Sequence, residues 1–155
     1  MTGEITLYYG DKYSTKTSAL IKALIREGEG SICFKHINDG DDYIISHCGI
    51  EFPATTIENA SEIFLLLDYK ITTIGIVISE FFENDITLIS TIIKLRDSGY
   101  YIVLSDTTSS NTFLSSYLSS IADNCIKLNT SGERYKTISL CKNQTKKCTN
   151  KRCDK

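Results

Sequence analysis

The residues with the clearest chemical pattern run from Gly10 to Thr17 and read G-D-K-Y-S-T-K-T. A glycine, four residues, a second glycine, a lysine and then serine or threonine is the spacing of a loop that cradles phosphates. Gly10, Lys16 and Thr17 fit that spacing, and Thr15 stands where the second glycine belongs. In such a loop the backbone N–H groups, here of Asp11, Lys12, Tyr13, Ser14 and Thr15, turn partial positive charge toward the anion, as does the start of the following helix. Lys16 is expected at the outer phosphates and the Thr17 hydroxyl on Mg²⁺, with ATP as the ligand. Thr15 brings a Cβ and a branch into space the phosphates need, and it stiffens a backbone that glycine would leave free. The competing reading is a polar connecting loop with an incidental Lys-Thr pair.

Six cysteines offer a second chemistry: Cys33, Cys48, Cys125, Cys141, Cys148 and Cys153. Cys33 and Cys125 sit in apolar, strand-like runs and read as core. Cys141, Cys148 and Cys153 cluster, but six and four residues separate them, which is not the paired short spacing of a structural zinc site. Cys148 and Cys153 make at most half a site, needing Cys141 and another donor, so zinc is not expected.

The elements that must position these residues follow from apolar periodicity. Strands are expected at 5–9, 31–37, 72–79, 100–105 and 124–129, with an edge strand at 135–140. Short strand-like pieces at 43–46 and 50–54 flank His47, Cys48 and Gly49 and suggest a small hairpin. Helices are expected at 18–27, from an Asn59 cap to about Tyr69, from Asn84 or Asp85 to Asp97 with Ile86, Ile89, Ile92 and Ile93 on one face, and at 113–121. Strands and helices thus alternate, which implies an α/β fold with a parallel sheet covered on both faces. Ligands of such sheets bind at the carboxyl ends of the strands.

Composition places few further limits. At 155 residues, 41% apolar and 23% charged, with a net charge of −2, the chain suits one domain with a full core. That balance does not call for nucleic acid or a membrane as partner. The first residues lack the pattern of a signal peptide, and the apolar stretch near 71–78 is too short to span a bilayer. A soluble, cytoplasmic protein is expected. The segment 141–155 sets Lys142, Lys146, Lys147, Lys151, Arg152 and Lys155 against the single acid Asp154 and reads as a flexible, basic, Cys-containing tail after a domain at 1–140.

Six segments, in order, resemble the zinc-bearing thymidine kinase family over about residues 4–140. The loop at Gly10 is similar to G-x-M-F-S-G-K-[ST], with Tyr13 for the phenylalanine and Ser14 matching the serine. C-F-K-H-I-N-D-G-D resembles the strand and loop I-K-x-x-x-D-x-R, with Lys35 and Asp39 matching and Asp41 in place of the arginine. The segment 45–54 resembles S-H-x-G-x-x-x-x-A through His47, Gly49 and Ala54. I-G-I-V-I-S-E-F-F resembles I-x-I-D-E-x-Q-F-F, and the strands ending at Asp106 and Leu128 resemble two further family strands. The resemblance implies a three-layer, P-loop NTPase-like fold, transfer of the ATP γ-phosphate to the 5′-hydroxyl of thymidine, Mg²⁺ held with help from Thr17 and Asp39, and homo-oligomers.

The departures are as informative. The family's base glutamate falls at Ile78 and the preceding aspartate at Val77. An isoleucine cannot take the sugar hydroxyl's proton. Glu80 and Glu83 are the local substitutes, and Glu80 lies two residues on, about 7 Å along a strand. The family's first Cys-x-x-Cys falls at Gly132 and Tyr135, so the zinc and lasso subdomain is reduced or absent. A degenerate, catalytically impaired thymidine kinase is therefore expected, acting by binding nucleotide, a second copy or another protein. The alternative is an active, divergent kinase that uses Glu80 or Glu83 as base.

Overall fold

A computed structural model describes residues 3–10, 16–46, 49–108, 113–128 and 134–138. Strand β1 (Glu4–Gly10) leads to helix α1 (Lys16–Glu27), then β2 (Ser31–His36), the short strands β3 (Tyr43–Ile45), β4 (Glu51–Pro53) and β5 (Thr55–Ile57), and the single-turn helix α2 (Ile63–Leu66). Strand β6 (Thr73–Ile78), helix α3 (Leu88–Asp97), β7 (Tyr101–Asp106), α4 (Phe113–Ile121), β8 (Asn124–Leu128) and β9 (Arg134–Ile138) follow. The main sheet has the order β5-β2-β6-β7-β1-β8-β9. Six of its strands are parallel, and β9 pairs antiparallel to β8 at one edge. The expected α/β architecture is present, and the expected hairpin appears as β3 against β4 in a separate small sheet.

Alternation along the strands explains why both faces are covered. Ile5, Leu7, Ile74, Ile76, Ile78, Ile102 and Leu104 point to one layer, where they meet Ile63, Phe82, Leu88, Ile92, Leu95 and Leu118. Tyr8, Cys33, Val77 and Val103 point to the other, under Ala19, Leu20, Ala23 and Leu24 of α1. Gly75 lets α1 lie close to the sheet, because a Cβ there would stand 2.8 Å from Leu24 Cδ1 and 3.1 Å from Leu20 Cδ1.

Three expectations need correction. The helix after Asn59 stops at Leu66 rather than near Tyr69: Leu67 turns extended, and Asp68 Oδ1 accepts a 2.8 Å bond from the Lys70 N–H, a local turn that competes with helix. Helix α3 begins three residues after Asp85. That carboxylate binds the N–H of Thr87 and the N–H of Ala60 instead, and the buried face is Leu88, Thr91, Ile92 and Leu95, leaving Ile86 94% exposed. Strand β5, a three-residue parallel edge against β2, was not expected, because a run that short carries no periodicity of its own.

The strand order creates one reversal. From β1 the chain passes to α1 on one face. From β7 it passes to α4 on the other and returns as β8 on the far side of β1. In open α/β sheets the crevice outside the carboxyl ends at such a reversal is where ligands bind. Gly10 ends β1 and Asp106 ends β7 at this place.

Candidate functional site

Gly10 closes β1 with φ of 145°, and a Cβ there would lie 1.8 Å from the Leu128 carbonyl oxygen of β8. Only glycine allows β1 to stay paired this far while adopting that backbone. The chain re-emerges as α1 with Lys16 as its first residue. Lys16 is buried, and its Nζ donates to the Gly10 carbonyl at 3.2 Å. Gly10 and Lys16, six positions apart, thus meet at the mouth of the crevice. Thr17 is half-buried in the first turn of α1. Asp11, Lys12, Tyr13, Ser14 and Thr15 lie outside the described residues, as do His47, Cys48, Cys141, Cys148 and Cys153.

The acids expected to do chemistry are distributed differently. Ile78 is fully buried at the end of β6, opposite Asp106 of β7. Ser79 continues extended, and a single 3-10 turn, Glu80–Phe82, follows. Phe82 anchors that turn in the core, while Glu80 and Glu83 are exposed. At the end of β2, Lys35 and His36 are buried; Lys35 Nζ donates to the Tyr43 carbonyl at 3.1 Å. His36 stacks on Phe81 at 5.4 Å and meets the edge of Phe82 at 5.1 Å, so this histidine ties β2 to the turn after β6.

Asp39 has Lys35 and His36 as its charged neighbours. Desolvation pushes its carboxyl up from the ordinary value, against the opposing pull of Lys35 and His36. A Mg²⁺ site asks for several convergent oxygen ligands. Thr17 supplies one hydroxyl, the β6 end supplies Val77 and Ile78, and Asp39 stands near Lys35 and His36. Beside a nucleotide, Mg²⁺ takes most of its ligands from phosphates and water; among the described residues no group of three or more His, Cys, Asp or Glu side chains stands together to hold a metal. Asp41, which stands for the family's arginine, interacts with Tyr43 and pushes its phenol up. It brings negative charge where the resemblance implied positive.

Sequence reasoning passed over three residues here. Asp106 is buried and held by the Thr108 N–H at 3.0 Å and the Ser115 hydroxyl at 2.7 Å, which fastens β7 to α4. Ser79 and Ser105 carry buried hydroxyls with no hydrogen-bond partner among the described residues. The signal was present: each follows directly on an apolar strand run, at the carboxyl end where ligands bind.

No family model matches the chain, and a search of curated proteins finds no match. No helix among the described residues is long and apolar enough to cross a membrane.

Proposed function

We propose that the chain is a thymidine kinase-like, nucleotide-binding protein of the P-loop type whose phosphoryl-transfer chemistry has been lost. One observation carries the reading: a strand ends in a glycine that tolerates no side chain, and a helix opens with a buried lysine folded back onto that glycine at the reversal of a parallel sheet. Lys16 and the start of α1 offer positive charge to phosphate oxygens. Ile78, with no exposed surface, offers nothing to accept a proton from a sugar hydroxyl. The protein then acts by binding in the cytoplasm, alone or with a second copy or a protein partner.

A second reading, an active deoxynucleoside kinase, draws on the exposed carboxylates of Glu80 and Glu83 just past β6. A coupled assay with thymidine, ATP and Mg²⁺ separates the two. The expected result is binding of ATP or dTTP by calorimetry without turnover. Efficient turnover that Lys16→Ala and Glu80→Gln both abolish would establish the second reading in place of the first.

A further inference from the structure

We propose that the crevice beside the start of α1 takes a polyphosphate as the free anion rather than as its magnesium complex. This rests on the nucleotide-binding reading and names the form of ligand that site accepts.

Two side chains point to a ligand. Ser105 is 0% exposed and Ser79 is 6% exposed, and among the described residues neither hydroxyl has a hydrogen-bond partner; Thr73, at the amino end of β6, is the third such hydroxyl. A buried donor left without an acceptor is rare and costly, and it calls for an explanation. Both lie on the face that α1 covers. Ser105 pairs across the sheet with Val77 and Tyr8, which pack under α1. Ser79 is extended, with φ of −119° and ψ of 174°, so two residues past Val77 it returns to the same side. Leu20 lies over Gly75. Stepping back four residues along the helix covers about 6 Å, and stepping forward from Gly75 to Val77 covers about 6.6 Å. Lys16 and Thr17 therefore stand level with the Val77–Ser105 rung, and Ser79 lies one rung nearer the mouth. An anion seated there accepts from the serine hydroxyls and meets the Lys16 ammonium.

The same face is poor in acid. Among the described residues, this end of the face holds Val77, Ser79, Ser105 and Tyr8, together with Lys35 of β2, which alternates with Cys33 and has Asp39 beside it. Asp106 belongs to the opposite face, where Thr108 and Ser115 occupy its oxygens, and Glu80, which opens the turn after Ser79, is exposed. Among the described residues, fixed charge at this end thus comes from Lys16, Lys35 and the helix start against Asp39. A free polyphosphate carries more negative charge than its magnesium complex, so it gains more from that field.

Titration calorimetry on the full chain tests this, with ATP in EDTA, ATP in excess MgCl₂, and inorganic tripolyphosphate as probes. The expected result is that ATP binds at least as tightly in EDTA as in magnesium and that tripolyphosphate competes with it. Ser79→Ala should weaken metal-free ATP about tenfold, the usual effect of removing a hydrogen bond to a charged group. The melting temperature of the ligand-free variant should hold or rise, and Ser79→Thr should restore binding. A gain in affinity of about tenfold or more on adding magnesium, failure of tripolyphosphate to compete, or unchanged affinity in Ser79→Ala would each overturn the proposal while leaving nucleotide binding intact. Absence of ATP binding under both conditions would instead remove the reading on which it rests.

Discussion

Ile78 decides more about this protein than any charged residue near it. Its side chain lies among Ile5, Ile76, Leu104 and Phe82 in the layer that α3 and α4 cover, so the position has become core. Placing an acid there means burying a carboxylate, which raises its pKa and costs several kcal/mol, about 3 or more. Ile78→Glu should therefore lower the urea midpoint sharply and give no thymidine phosphorylation. Robust turnover by that single variant would show that only one part of the machinery had been lost. Cys33 gives a second residue-scale test. Burial pushes its thiol up from 9.0 to about 12. Between those values the unfolded chain releases a proton that the folded chain retains. The contribution of Cys33 is thus whole below the unfolded value and drains away as pH climbs toward the folded one, at up to ~1.4 kcal/mol per pH unit. Measured by urea unfolding from about pH 8 to about pH 11, the native protein should lose stability relative to Cys33→Ala. A constant difference across that range would show that the thiol ionises freely in the fold.

At the scale of elements, α3 shows how a helix can be recognised and its start and part of its face misjudged, for Ile89 and Ile92 do pack in the core. The sequence around it holds isoleucine at 86, 89, 92 and 93, which suggests one apolar stripe. The Asp85 carboxylate instead binds the Thr87 and Ala60 N–H groups, delaying the helix and leaving Ile86 outside it. The buried stripe of Leu88, Thr91, Ile92 and Leu95 has the spacing of a core-facing helix. Ile92→Ala should cost about 2–5 kcal/mol through the cavity it leaves, whereas Ile86→Ala should change stability by less than about 0.5 kcal/mol. Chemical denaturation of the two variants checks the assignment, and equal losses would contradict it. Helix α1 is the opposite case. Most of its apolar face was legible, because Ala19, Leu20, Ala23 and Leu24 recur at helical spacing and pack on the sheet, although it opens at Lys16, two residues before the expected start, and Ile25, read as part of that face, is half exposed.

For the whole molecule, the sheet order places Gly10 and Asp106 on neighbouring strands whose chains leave toward opposite faces. A ligand that binds only the folded chain stabilises it by about 2.7 kcal/mol at one hundred times its dissociation constant. ATP at such a concentration should raise the melting temperature, and Lys16→Ala should cancel the rise while keeping the ligand-free fold. An equal shift in the variant would move the nucleotide elsewhere on the surface.

The sequence by itself determined the alternation of strands and helices, the strand that runs to Gly10 and the helix that follows near Lys16, and the burial of Cys33 and Cys125, because each depends on local spacing or on runs of apolar residues. It also held the apolar pair Val77 and Ile78 at the end of β6. Only the tertiary structure decided that Asp39 shares its surroundings with Lys35 and His36, that Asp106 faces α4, and that Ser79 and Ser105 turn unpaired hydroxyls toward α1. Those facts depend on which strands become neighbours and which face each residue occupies. Strand order joins residues as far apart as Tyr8 and Ser105, and no local pattern encodes that pairing.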